Sequence, residues 1–155
     1  MTDPSARVER IAELAADLDV TVASAESLTS GAIAAQLGAG PDAASWFRGG
    51  IVAYQEPVKF QVLGVPEGPV VTAECAAQMA RGARDLLGSE LAVSATGVGG
   101  PGPSEGKPAG TVFLAVATPD RVATRELFLD GEPGQVVNRT TSESLALLEE
   151  VLSGQ

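Results

Sequence analysis

The chain has 155 residues, of which 45% are apolar, 19% charged and only 4% aromatic, and it carries a formal net charge of −10. That balance describes a soluble globular domain with a core of Ala, Val and Leu; it excludes a disordered chain and argues against sequence-independent binding to nucleic acid or anionic membrane. There is no histidine and one cysteine, Cys75, which removes Ser-His triads, His metal sites, internal disulfides and multi-cysteine clusters.

The length predicts one domain over residues 1–155, with no internal repeat and no linker. Met1-Thr2-Asp3-Pro4 opens on an acid and a proline with no apolar stretch behind it, so no signal peptide is expected. No apolar run approaches the ~20 residues of a membrane span, and a cytoplasmic location is expected.

Val8, Ile11, Leu14, Ala15 and Leu18 fall on one face of a helix over Ala6–Leu18, with Asp3 before Pro4 as its start. Val20–Ala25 reads as a buried strand. Ala32–Leu37 reads as a short helix ending at Gly38 and Gly40. Gly50–Tyr54 is a second strand, and Val58–Leu63 a helical turn closed by Gly64. Thr72 is placed as the N-cap of a helix whose stripe is Ala76, Met79, Ala80, Ala83 and Leu87, closed by Gly88. Leu91–Thr96 is a third strand, followed by a long Gly/Pro loop over 97–110, a length that in compact domains is often functional. Thr111–Thr118 and Arg121–Leu129 form a hairpin through Pro119-Asp120, and Val136–Leu152 a final helix. The alternation predicts a layered α/β domain whose sheet the hairpin makes mixed.

Polar residues concentrate at three strand ends. Glu26-Ser27-Leu28-Thr29-Ser30-Gly31 follows the first strand, where a serine at a strand-to-helix turn has backbone N–H groups nearby for an anion or an oxyanion; a simple helix cap explains the same residues. Tyr54 is the one tyrosine, and Lys59 one of two lysines. Their spacing of five across Pro57 rejects a short-chain dehydrogenase pair, but both can point into one cleft; a solvated lysine beside a half-buried tyrosine is the plain alternative. The stretch Thr96-Gly97-Val98-Gly99-Gly100-Pro101-Gly102-Pro103 contains G-x-G-x-x-G. Pro101 and Pro103 oppose the helix that a dinucleotide fingerprint requires, so a loop whose backbone approaches a ligand fits better, with a plain connection as the alternative. Lys107 lies in the same loop. Without histidine, a hydrolase here needs Lys, Tyr or a carboxylate as base. Ser27 with a desolvated Lys59 is chemically coherent, with Tyr54 as proton relay.

Ala25-Glu26-Ser27-Leu28-Thr29-Ser30-Gly31 resembles the A-E-S-C-T-G-G signature of the CinA C-terminal domain family. Phe47 to Tyr54 with Lys59 and Leu63-Gly64-Val65 resembles its second motif. Thr96 to Gly102 resembles its T-G-I-A-G-P-G loop, and Lys107-Pro108-Ala109-Gly110-Thr111-Val112 the segment after it. The likeness runs from about Ala6 to Leu152. It implies a three-layer α/β/α domain with a mixed, mostly parallel sheet and a C-terminal hairpin followed by a helix, commonly oligomeric, with no metal and no cofactor. The implied activity is amide hydrolysis of nicotinamide mononucleotide to nicotinic acid mononucleotide and ammonia, in pyridine-nucleotide salvage. It makes Ser27 the nucleophile, Lys59 the base, and Tyr54 and Thr96 catalytic partners. The expected substrate contacts are Glu26, Thr29, Ser30 and Gly31 after the first strand, and Gly97, Gly99 and Gly100 in the loop. Arg48, Lys107 and Arg139 are the basic candidates for a phosphate. The larger N-terminal domain of full-length relatives is not in this sequence, which reads as a stand-alone form. Leu28, Ser30, Glu56 and Gln135 depart from the family pattern: Ser30 stands where glycine is usual and invites an unfavourable φ, and Gln135 stands where an arginine is usual. The second reading is a nucleotide- or partner-binding module of the same fold with impaired chemistry; a purely structural oligomerisation domain is a third.

Overall fold

A computed structural model describes residues 3–154; Met1 and Thr2 of the N-terminal reading, and Gln155, lie outside the described residues. The elements in chain order are α1 (Pro4–Leu18), β1 (Val22–Glu26), α2 (Ala32–Gly38), α3 (Ala43–Trp46), β2 (Phe47–Val52), α4 (Glu56–Leu63), α5 (Ala73–Leu87), β3 (Leu91–Gly97), β4 (Thr111–Ala117), β5 (Val122–Phe128) and α6 (Pro133–Leu152). The sheet order is β2-β1-β3-β4-β5. β1 pairs parallel with β2 and β3, while β4 pairs antiparallel with β3 and β5. Only β4 therefore runs against the others, giving the mixed, mostly parallel sheet that the sequence predicts.

Period-two alternation sends successive strand residues to opposite faces. Val22, Leu91, Val93, Val112, Leu114 and Val116 face α1, α2 and α6. Ala23, Ala25, Ala92 and Ala115 face the side of α5, whose Ala76, Met79, Ala80 and Ala83 pack on them. Small residues on both sides let α5 lie close, so the scarcity of aromatics is accommodated by close approach.

The structure differs from the sequence reading at several element bounds; α6, for one, begins at Pro133 and not Val136. α3 is a single turn of four residues, too short to show periodicity. β2 begins at Phe47, three residues earlier than expected. Gly50 pairs with Ser24 of β1, and a Cβ there would lie 2.3 Å from Ser24 Oγ, so the position has no room for a side chain. α4 begins at Glu56, with Pro57 in its first turn, where a missing N–H costs nothing. The caps at Asp3, Thr72 and Gly88 stand where the sequence places them.

α4 is seated on α5 at Gly82: a Cβ there would fall 2.0 Å from the Leu63 carbonyl oxygen. Helix propensity favours alanine at such a position by about 1 kcal/mol, whereas forcing two packed helices apart costs about 1–3 kcal/mol. Gly82→Ala should therefore lower stability by up to about 2 kcal/mol in urea unfolding, against the propensity scale.

Candidate active site

The site lies beyond the carboxyl ends of β1 and β3, where the chain turns from β1 to β2 on one side and β3 occupies the other. Ligand crevices of open α/β sheets form at such switch points. At the end of β1 the alternation separates two polar neighbours. Glu26 faces α2 and Ser27 faces α4 and α5.

Glu26 is fully buried. Its carboxylate accepts from Thr29 Oγ1 at 2.6 Å, from Ile33 N at 2.9 Å and from Ala34 N at 2.9 Å. Three donors, two of them N–H groups in the first turn of α2, satisfy a charge that would otherwise be costly to bury. The anion expected at this helix start is thus the chain's own carboxylate. Glu26 and Thr29 are committed to each other inside the fold. Ser30 is exposed and left-handed at φ 53°, and Gly31 follows at φ 104°; the serine that replaces a glycine sits in the conformation that glycine adopts more readily.

Ser27 is 7% exposed and Lys59 only 2%. Both side chains meet one acceptor, the Tyr54 carbonyl oxygen: Ser27 Oγ donates at 3.5 Å and Lys59 Nζ at 2.9 Å. Tyr54 therefore enters the site through its backbone. Its ring is 63% exposed, so the phenol expected to relay a proton stands in solvent. The sequence had no means of separating the two halves of that residue, since a strand end exposes one and buries the other.

Burial holds the Lys59 amine below its ordinary 10.5, with the Glu56 and Glu105 carboxylates and the neighbouring Cys75 acting the other way. Cys75, buried on α5, is pushed up to about 11 by desolvation. Thr96 is buried on the same face as Ser27, and its Oγ1 donates to the Val70 carbonyl at 2.9 Å. Cys75 was not among the expected site residues; its position in the first turn of α5 gave no hint that it neighbours Lys59.

The loop of Gly97, Gly99 and Gly100 reaches the Ser27 segment. A Cβ on Gly99 would lie 3.9 Å from Leu28 Cβ, and one on Gly97 would lie 2.6 Å from the Thr111 carbonyl oxygen. Among the described residues, the N–H groups of Leu28, Thr29 and Gly99 have no intramolecular acceptor, which leaves donors on both sides of Ser27.

The basic candidates are not gathered here. Arg48 sits at the opposite end of the sheet, since Phe47 pairs with Val22 at the start of β1, and its Nε donates to the Leu87 carbonyl at 2.6 Å, capping α5. Arg48 is thus removed from the Ser27 end by the strand register. Arg139 is exposed on α6, in a cleft of about 100 Å³ with Pro4, Arg7 and Ser142. Lys107 closes a tight turn with Ser104 in the loop. Gln135, where an arginine is usual, spends its Oε1 on the Glu132 N–H at 2.8 Å as half of the capping box of α6. Two larger clefts, of about 940 Å³ between α1 and α3 and about 540 Å³ beside α5, include neither Ser27 nor Lys59. No helix among the described residues is long and apolar enough to cross a membrane.

Residues 5–152 match the family described as the CinA C-terminal domain. A putative competence-damage inducible protein of Desulforamulus reducens is 37% identical over 150 residues, covering 94% of this chain and 36% of the relative. A CinA-like protein of Frankia casuarinae is 40% identical over 139 residues, covering 86% and 32%. The chain thus spans about a third of the length of these curated relatives. Among solved structures, a competence-damaged protein (CinA) superfamily protein from Klebsiella pneumoniae matches with a TM-score of 0.94 at 28% identity, covering 99% of this chain and 100% of that one. A competence/damage inducible protein from Agrobacterium tumefaciens matches with a TM-score of 0.91 at 30% identity, covering 99% and 97%.

The buried thiol generates a direct check. Cys75 should resist iodoacetamide at pH 8 in the folded protein and react only on unfolding, as mass spectrometry with and without denaturant will read.

Proposed function

The chain belongs to the CinA C-terminal domain family, and on that premise we propose that it hydrolyses the carboxamide of nicotinamide mononucleotide. The products are nicotinic acid mononucleotide and ammonia. The observation that carries this reading is the convergence of the Ser27 hydroxyl and a desolvated Lys59 amine on one carbonyl oxygen.

A serine hydroxyl is a weak nucleophile and needs a neighbouring base. Lys59 serves once it is neutral, and burial favours that form. Lys59 takes the proton as Ser27 Oγ attacks the amide carbon. The oxyanion faces the free N–H groups of Leu28 and Thr29, with Gly99 opposite. The tetrahedral intermediate collapses, the C–N bond breaks, and the proton from Lys59 goes to the leaving nitrogen, which departs as ammonia. Water then adds to the acyl-serine carbon, with Lys59 accepting its proton, and Ser27 is released with the acid product.

The second reading, a binding module with impaired chemistry, is favoured by one observation: Gln135, which stands where the family usually carries an arginine, is engaged in capping α6. It predicts thermal stabilisation by the nucleotide with no ammonia.

Purified protein should release ammonia from nicotinamide mononucleotide with chelator present. Ser27→Ala should lower that rate at least about 10³-fold with an unchanged melting curve, and Tyr54→Phe should keep it, since only the Tyr54 carbonyl touches the reacting groups. Wild-type stabilisation by the nucleotide without ammonia would replace the amidase with the binding module.

The pH profile gives a signed test. The neutral Lys59 amine is the active form, so kcat/KM should rise with pH through a midpoint below the 10.5 of an ordinary lysine. Glu56 favours the ammonium form, so Glu56→Gln should move that midpoint to lower pH and raise the rate on the ascending limb.

A further inference from the structure

We propose that Glu105 is a positioning residue of this site, latching the 97–110 loop to the backbone in front of α5 so that the loop is held against the Ser27 segment. The inference rests on the amidase reading for its kinetic consequence and on geometry alone for the latch.

Glu105 stands at the tip of a two-residue turn. Ser104 N donates to Lys107 O at 3.0 Å and Lys107 N to Ser104 O at 2.9 Å. Glu105 and Gly106 both have positive φ, 52° and 72°, the pattern of a type I′ turn. Asn or Gly is the ordinary first residue there, and glutamate is a poor choice for the backbone alone. What the glutamate supplies is reach. Its Oε2 accepts from Val70 N and its Oε1 from Val71 N, both at 2.9 Å. Two consecutive N–H groups gripped by one carboxylate make a charge-assisted, bidentate contact between segments that are 34 and 35 residues apart.

The gripped segment leads back to the site. The Val70 carbonyl accepts from Thr96 Oγ1 at the end of β3, and Val71 precedes Thr72, the N-cap of the helix that carries Cys75. At its other end the loop brings Gly99 against Leu28, next to Ser27. Glu105, the Val70–Val71 backbone and Thr96 thus form a chain of contacts that closes the loop around the site. Lys59 feels this carboxylate together with Glu56 of its own helix and Cys75 of α5. No residue of the reaction touches Glu105 directly, so its effect is on placement and field.

Glu105→Gln keeps the length and removes the charge; Glu105→Asp keeps the charge and removes the reach. Three readouts apply to each: amide hydrogen exchange at Val70 and Val71, turnover, and an NMR titration of protein labelled at lysine Cε. The chain has two lysines, so the titration shows two signals, and Lys107→Arg assigns them. Both variants should speed exchange at the two amides by about ten-fold or more. Both should lower kcat by about ten-fold, with KM little changed, if the loop orients the reacting groups. The Lys59 midpoint should move to lower pH in Glu105→Gln and much less in Glu105→Asp, a pattern that a merely structural role does not produce. Wild-type exchange at Val70 and Val71 in both variants overturns the latch. Faster exchange with unchanged turnover overturns the positioning role. If the wild type itself releases no ammonia, the amidase reading falls, while the exchange and the lysine titration still decide on Glu105.

Discussion

The Glu26 carboxylate on the first turn of α2 is the interaction on which the site depends. A buried charge survives only where donors replace its water, and α2 supplies two N–H groups that any helix leaves unpaired at its start. The bond from Thr29 ties the intervening turn to the same charge. Removing the carboxylate would leave those donors buried without a partner, which costs about 1–3 kcal/mol for each group. With Glu26 held toward α2, the period of β1 sends Ser27 the other way. The N–H groups of Leu28 and Thr29 remain unpaired beside it. One structural carboxylate thus fixes both the direction of the Ser27 side chain and the availability of the N–H groups beside it.

Opposing forces are balanced at Lys59. Desolvation favours the neutral amine, and three surrounding groups favour the ammonium. The balance requires α4 to sit deep against α5, and Gly82 is what lets the Leu63 carbonyl approach. The packing of these two helices on one face of the sheet thereby sets the surroundings of the Lys59 amine. The Tyr54 carbonyl, which gathers Ser27 and Lys59, is available because β2 ends at Val52 and the chain turns outward before α4 begins.

The departures from the family pattern acquire physical roles. Ser30 occupies a left-handed position at the surface, where the cost is a backbone preference and not a clash. Gln135 completes a reciprocal cap with Glu132, so the start of α6 is satisfied by neutral and acidic groups without an arginine. Glu56 lies in the first turn of α4, where a negative charge suits the helix as well as the Lys59 ammonium. Phosphate-binding charge is correspondingly sparse near Ser27, with Arg48 held at the far end of the sheet and Arg139 on the outer side of α6.

Local chemistry determined much of this from the sequence alone. The helix faces, the caps at Asp3, Thr72 and Gly88, the hairpin and the long loop each depend on interactions within a few residues, and they are legible there. The motifs around Ser27, Lys59 and Thr96 lie where β1 and β3 end and where α4 follows β2. The tertiary structure decided what depends on a neighbour distant in sequence. Position 50 needs a glycine because Ser24 leaves no room for a side chain, and Arg48 is a cap because register places it beside Leu87. Tyr54 contributes its carbonyl because Lys59 is buried beneath it. A residue's type is written in the sequence, but which of its atoms faces a partner is set by packing between segments that meet only in the fold.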